Sequence, residues 1–485
     1  MSLIYNISSQ NFAENPNKIY FYDLENELSG FQCQERIKKI KDFLVKNNIE
    51  SLGICTKNHL FLPLWYIAAD SVCKNIFFLN PEFNRSLINS YKEKYAINYI
   101  AENLGSTSFP YLKPIGNNKT IPKNSLNKKI RNDILFTSGT TSNPKGVVVP
   151  DSSYLHIANV LVNTFEQRAS DLELLAMPFY HSFGLVRLRC TLLSGSSALI
   201  CNGLRDFPSI YKFSQGTKIS GLSLVPAGLE VMKTLLGKKV KQFSPSIKYL
   251  EIGSSGINKD LESWVKENFI DTIIYHHYGM TEASRSFLRP VIKNENFNKN
   301  DNWIGELTDG CEYKLINESN LKKIKKGELL IRGKNLFSGY LENKDNEEKT
   351  IDGWFRTGDL CEEINKKVYL LGRLDNQFNI GGEKVQAEEL ESIIESIEAI
   401  SYALCYQIPE KVMGYKIICL VETVEDLNNL ELKKLISKQL DKYPNYYKPV
   451  EIIKVSSVPR TQNGKKIRNE KKITRYLNEL SKSYQ

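Results

Sequence analysis

The chain has 485 residues, 41% hydrophobic and 25% charged, with a net charge of +10. This is longer than one hydrophobic core normally holds, so two or more domains are expected, with the composition of an ordinary soluble globular protein. Its lysines are scattered with no arginine-rich block, which argues against a nucleic-acid partner and leaves only a mild pull on anions.

The first hundred residues alternate helical and strand patterns. Ile37, Ile40, Phe43 and Leu44 recur at helical spacing. Strands are predicted at 51–55, 76–79 and 97–100, and helices at 60–72 and 87–95. Such alternation implies parallel sheet with crossover helices. A Lys- and Asn-rich linker, GNNKTIPKNSLNKK, follows. Further strands are predicted at 198–201, 221–225, 249–252 and 272–275, and short strands and turns after 303. The tail reads as a small α+β unit of about 110 residues, a plausible separate domain. It has helices near 390–397 and 432–440, strands at 401–407, 415–424 and 451–455, and a charged closing helix.

None of the nine cysteines lies in a C-x-x-C pair, and most have apolar neighbours, as in SLGIC and YKIIC. They read as buried, reduced thiols of an intracellular protein. The N-terminus lacks a charged-then-apolar signal layout. The most apolar stretch, 60–69, contains Pro63 and is too short to cross a bilayer. A cytoplasmic location and no membrane span are expected.

Residues 134–150 read ILFTSGTTSNPKGVVVP, a strand, a polar loop and a return strand. Thr137, Ser138, Thr140 and Thr141 offer hydroxyls, Gly139 and Gly146 allow close backbone approach, and Lys145 adds a point charge. The loop suits a polyphosphate, and equally a Ser/Thr-rich surface turn. It matches neither G-x-x-x-x-G-K-[ST] nor G-x-G-x-x-G.

Four further strings follow: YGMTE at 278–282, GWFRTGDL at 353–360, GRLD at 372–375 with GGEKV at 381–385, and PRTQNGKKIR at 459–468. Tyr278 is a flat aromatic able to stack on adenine. Thr281 can donate to a phosphate, and Glu282 offers a hard oxygen for Mg²⁺, or is a solvated strand-end carboxylate. Asp359, after Gly358 in a tight turn, can accept both hydroxyls of a ribose, or is an ordinary turn aspartate. Arg373 carries donors for ribose or phosphate oxygens. Lys465 and Lys466 read by composition as a solvated basic pair.

The five strings together resemble the AMP-forming adenylating enzymes: acyl- and aryl-CoA synthetases, peptide-synthetase adenylation domains and firefly luciferase. The resemblance extends from about residue 30 to the end. It implies an α/β fold: a large N-terminal domain of α/β subdomains plus a distorted β-barrel, 1–373, with a small mobile α+β C-terminal domain, 374–485. It implies an acid–thiol ligase that makes an acyl-adenylate from a carboxylic acid and MgATP, then passes the acyl group to CoA. The phosphopantetheine of a carrier protein is the alternative acceptor. A non-catalytic nucleotide-binding module is the alternative of another class.

The resemblance also assigns roles. Thr137, Ser138, Gly139, Thr140, Thr141, Lys145, Tyr278, Asp359 and Arg373 would bind ATP. Glu282 would hold Mg²⁺, Thr281 would meet the α-phosphate, and Lys465 would bridge carboxylate and α-phosphate. A cation is needed there because two anions must meet. At about 4 Å a unit charge is worth about 1 kcal/mol in water and about 4 at an effective dielectric near 20. His181, Ser182, Phe183 and Met280 would line the acyl pocket, with His181 in place of the aspartate of amino-acid-activating domains. Asp375 would be the hinge, and Gly381 and Gly382 the thiol tunnel. Arg187 and Arg189 are expected as surface ion pairs; facing the pocket, they would imply a second anion on the substrate. Three departures stand out: Ser142 where glycine is usual, Asn379 near a usual lysine, and no aromatic-proline pair at Gln386 and Ala387.

Overall fold

The computed structural model describes residues 3–105, 130–137, 144–253, 256–291, 301–317, 322–342, 349–380, 383–410, 414–424, 426–460, 466–468 and 470–483. Ser138, Gly139, Thr140, Thr141, Gly381, Gly382 and Lys465 lie outside these.

A nine-stranded sheet runs in the order Glu306–Leu307, Ala283–Val291, Ile273–Met280, Tyr249–Ile252, Gly221–Leu224, Leu172–Leu175, Ser197–Ile200, Ile19–Tyr22 and Glu27–Ser29. Its strands are parallel from Ile273–Met280 to Ile19–Tyr22. The four at 172–175, 197–200, 221–224 and 249–252 are buried at every position, as a sheet covered on both faces demands. A six-stranded sheet runs Gly339–Tyr340, Lys145–Pro150, Asn132–Thr137, Asn75–Phe78, Ser51–Ile54 and Tyr99–Ala101.

Both sheets share one core. Leu135, Val147 and Val149 of the smaller sheet and Leu175, Ala198 and Ile200 of the larger belong to the same buried cluster. Leu185, Val186 and Leu188, from the helix Ser182–Ser194, lie in it too. That helix is buried at every position from Ser182 to Leu192 except Phe183, so it packs on more than one side.

The short strands expected after 303 form a five-stranded antiparallel sheet built from Cys311–Ile316, Lys326–Gly333, Trp354–Ile364, Thr350–Ile351 and Lys367–Arg373. The C-terminal region has its own core, drawn from Phe378 through Ile452. It covers the three-stranded sheet Ile400–Glu410, Gly414–Thr423 and Glu451–Lys454 with the helices Ala387–Glu395 and Asn429–Leu440. The second helix starts on a capping box, Asn428 with Glu431, which satisfies two otherwise orphaned N–H groups.

The predicted strands and helices are all present. Three elements before residue 30 were not foreseen: the helix Leu3–Glu14, which buries Ile4 and Phe12, and the strands Ile19–Tyr22 and Glu27–Ser29. The nine cysteines are buried and unpaired. Among the described residues no helix is long and apolar enough to cross a membrane.

Candidate active site

The strand Asn132–Thr137 pairs antiparallel with Lys145–Pro150, Thr137 facing Lys145. Lys145 therefore stands at the mouth of the predicted phosphate loop. Gly146 serves a different close approach from the one expected. Its carbonyl accepts the Leu341 N–H at 2.8 Å, and a Cβ there would fall 2.5 Å from Leu341 Cδ1 and 3.3 Å from Phe136 Cε1.

YGMTE ends the strand Ile273–Met280, and Met280 pairs with Ala283. Thr281 and Glu282 are thus the two-residue tip of a hairpin. The Tyr340 hydroxyl donates to Glu282 Oε1 at 2.8 Å, and the Lys145 ammonium lies 5.6 Å from the Tyr340 ring centre.

Asp359 is not in a tight turn. It lies inside the strand Trp354–Ile364, where pairing with Lys326–Gly333 shifts register. Gly358 adopts φ 73° there, as in a bulge that re-aims the next side chain. Asp359 pairs across strands with Arg373, accepts from Arg373 Nη1 at 3.1 Å and accepts the Tyr278 hydroxyl. Burial and then the Asp359 charge push the Tyr278 phenol well above its ordinary range. Arg373 Nε also donates to Asp375 at 3.1 Å. Burial opposes the Arg373 charge, but Asp359 and Asp375 outweigh it and raise its pKa. One guanidinium therefore joins the proposed ribose carboxylate to the proposed hinge carboxylate.

His181 precedes the buried helix, its ring 4.7 Å from that of Tyr180. Ser182 and Ser284 hydroxyls are 3.4 Å apart. Phe183 packs edge-on against His277 at 4.8 Å. Met280 packs at the edge of a separate cluster around Phe287 and Phe355.

Behind Phe183 lies a charged group missed from sequence. Glu251 is fully buried. His277 Nδ1 stands 2.7 Å and Arg285 Nε 3.1 Å from its Oε1, and the Ser223 hydroxyl donates to it at 3.2 Å. Arg285 also donates to the carbonyls of Ser182, at 3.3 Å, and Phe183, at 3.1 Å. It ties the start of the helix to the large sheet. The YHHYGMTE string holds one signal of this, two histidines before Tyr278.

The family model for "AMP-binding enzyme" matches residues 66–341. The chain belongs to the AMP-binding enzyme family. It is 28% identical over 335 residues to a 2-succinylbenzoate–CoA ligase from Enterococcus faecalis, spanning 68% of this chain and 67% of that relative. Two solved structures share the fold. ATP-bound MatB from Rhodopseudomonas palustris superposes with a TM-score of 0.79 at 18% identity, covering 98% of each chain. The o-succinylbenzoate CoA synthetase of Bacillus subtilis, in complex with its acyl-adenylate, gives 0.79 at 19%, covering 96% of this chain and 98% of that one.

In this AMP-binding enzyme two expectations are corrected. Arg187 and Arg189 are not on the surface, being 1% and 0% exposed. They sit two residues apart on a helix, about 200° around its axis, and so reach opposite ways. Arg187 meets Glu173 at 2.7 Å, Gln167 at 3.0 Å and the Tyr249 hydroxyl at 2.7 Å. Arg189 meets Asp133 at 2.8 Å, Asp151 at 2.7 Å and the Tyr66 hydroxyl at 2.6 Å. Arginine is buried only when paired, and these partners come from distant segments. Both guanidiniums are ion-paired within the protein.

The second correction concerns Lys466. Lys466 is not solvated: its ammonium lies 2.7 Å from Glu391 Oε2 and 3.1 Å from Glu395 Oε1, and Arg468 joins Glu391 at 2.7 Å. Burial works against its charge, but Glu391 and Glu395 outweigh this and raise its pKa. Lys466 is held to the small domain by these acidic partners.

Among the described residues no three His, Cys, Asp or Glu side chains gather to hold a metal. Glu282 would supply one hard oxygen and phosphates the rest.

A prediction arises at the end of the strand Tyr249–Ile252. A Cβ on Gly253 would fall 2.1 Å from His277 Cε1 and 2.4 Å from its Nε2. That ring is held by Glu251 and Phe183 and cannot yield. Gly253→Ala should cost about 1–3 kcal/mol, read as a lower urea midpoint; an unchanged midpoint would refute the wedge.

Proposed function

We propose that this chain is an ATP-dependent acid–thiol ligase, working through an acyl-adenylate and transferring to CoA. In the first half-reaction a carboxylate oxygen attacks the α-phosphorus of MgATP. The bond to the bridging oxygen breaks, and pyrophosphate leaves. Lys145 and the hydroxyl loop hold the departing pyrophosphate, Glu282 meets the ion on the phosphates, and Thr281 donates to the α-phosphate. Asp359 and Arg373 hold the ribose, with Tyr278 against the base. Lys465 neutralises the reacting anions. In the second half-reaction a thiol adds to the acyl carbon, loses its proton, and AMP departs.

The observation carrying this reading is the convergence of Lys145 and Glu282 on Tyr340, beside the Tyr278–Asp359–Arg373 group. The chain divides at 373/374, and the second half-reaction follows rotation about Asp375. The glycines at 381 and 382 leave room for a thin pantetheine arm.

The acid is small or medium aliphatic, or aryl. Arg187 and Arg189 give no reason to require a second carboxylate, since Glu173, Asp133 and Asp151 neutralise them. The relatives' name makes 2-succinylbenzoate one member of the panel to test. Nine unpaired thiols suit a reducing cytoplasm.

The test is acid-dependent ATP–pyrophosphate exchange over a panel of carboxylic acids, followed by CoA and a purified carrier protein offered side by side. Exchange with at least one acid and thioester formation on CoA are expected. No exchange with any acid would favour a non-catalytic nucleotide-binding module, and acylation of the carrier alone would name the other acceptor.

A further inference from the structure

Tyr340 has been given no role of its own in that reading, yet it touches two of its principal residues. Gly339–Tyr340 is a short edge strand pairing antiparallel with Lys145–Pro150, with Tyr340 opposite Val147. Side chains two apart on a strand share a face, so Lys145 is the diagonal neighbour of Tyr340. This register puts the ammonium over the ring.

The same segment is fastened to the hairpin tip. The Phe337 N–H donates to the Glu282 carbonyl at 2.9 Å, and Leu336 bridges to Ala283. The Phe337 ring then packs edge-on against Tyr340 at 5.1 Å. Held on both sides and 5% exposed, the phenol has one direction to point, and its hydroxyl meets Glu282 Oε1. Glu282 Oε2 has no partner among the described residues.

We propose that Tyr340 is a positioning residue for Glu282. It occupies one carboxylate oxygen and stops the carboxylate rotating, so that the other is presented to the magnesium ion arriving with ATP. A hydrogen bond to a ligating carboxylate fixes its orientation before the ion comes. The cation–ring contact holds Lys145 in the same frame, so the two opposite charges meet the polyphosphate from set positions. A tyrosine serving only as core filler would tolerate phenylalanine, since ring and packing are kept.

The inference rests on the role proposed for Glu282, and the experiment separates the two. ATP is titrated calorimetrically into the wild-type protein, Tyr340→Phe and Glu282→Gln, in excess Mg²⁺ and in excess EDTA. Tyr340→Phe should bind metal-free ATP as the wild type does, lose about 10-fold to 100-fold in affinity for MgATP, and keep its thermal unfolding curve. If it keeps the wild-type preference for MgATP while Glu282→Gln loses it, Tyr340 is core filler and the inference is overturned, with Glu282 intact. If Glu282→Gln also keeps that preference, the role of Glu282 falls and takes this inference with it.

Discussion

Lys465→Ala is expected to bind ATP normally and to lose pyrophosphate exchange by about 10²–10³-fold. The cation is wanted only where carboxylate and α-phosphate approach, so nucleotide affinity should be spared. Lys466→Met should do the reverse. It strips the ammonium from the buried side chains of Glu391 and Glu395 and leaves Glu391 with the Arg468 guanidinium and the Cys405 N–H. Losing one partner of a buried ion pair costs about 3–5 kcal/mol. Exchange by folded Lys466→Met should stay within a few-fold of wild type, with an earlier denaturation midpoint for the C-terminal region. Equal loss of exchange in both variants, with unchanged stability, would remove the distinction between the neighbours.

The second large effect lies behind the proposed acyl pocket. Glu251→Leu leaves Arg285 and His277 without their carboxylate and should destabilise the large domain by about 3–5 kcal/mol, measured by chemical denaturation. Glu251→Gln keeps the shape and isolates the charge. Burial alone would raise the Glu251 pKa, but Arg285, His277 and Arg187 hold the carboxyl well below the usual carboxylate range. A group depressed in the fold stabilises it above its unfolded pKa, about 4.3. That stabilisation drains away as pH falls through this value toward the folded one. Wild type should therefore lose stability from about pH 5 downward, and Glu251→Gln should show a flatter acid limb. Because Arg285 carries the carbonyls of Ser182 and Phe183, a raised KM for the acid, with KM for ATP unchanged, should accompany the loss. Identical acid limbs for the two proteins would contradict this assignment.

The alternation of strands and helices was legible because each buried parallel strand is a short, mainly apolar run, such as 221–224 with Ser223 its one polar side chain, bounded by helical spacing. The helix Leu3–Glu14 was not, because its apolar residues Ile4 and Phe12 follow no sustained stripe. Asp359 shows a subtler limit. A glycine before an aspartate reads identically in a turn and in a bulge, and only pairing with Lys326–Gly333 decides. The partners of Arg187 and Arg189 lie as far away as Tyr249 and Tyr66, and no local spacing announces them. Tyr340 was invisible for the same reason. Its contacts reach back 58 residues to Glu282 and further still to Lys145, and a Gly-Tyr pair in a string of turns carries no mark of either.

The helix Ser182–Ser194 acts as a crossbeam. Through Arg187 it is bolted to one sheet, and through Arg189 to the strand that feeds the polar loop. Its first turn, meanwhile, carries Ser182 and Phe183, the proposed wall for the acid. Reshaping that wall by sliding or tilting the beam would wrench charges out of their sockets on both sides. New preference for a longer or bulkier acid should therefore come, in nature or in directed evolution, from trimming side chains along the beam's near end, with the beam itself staying put.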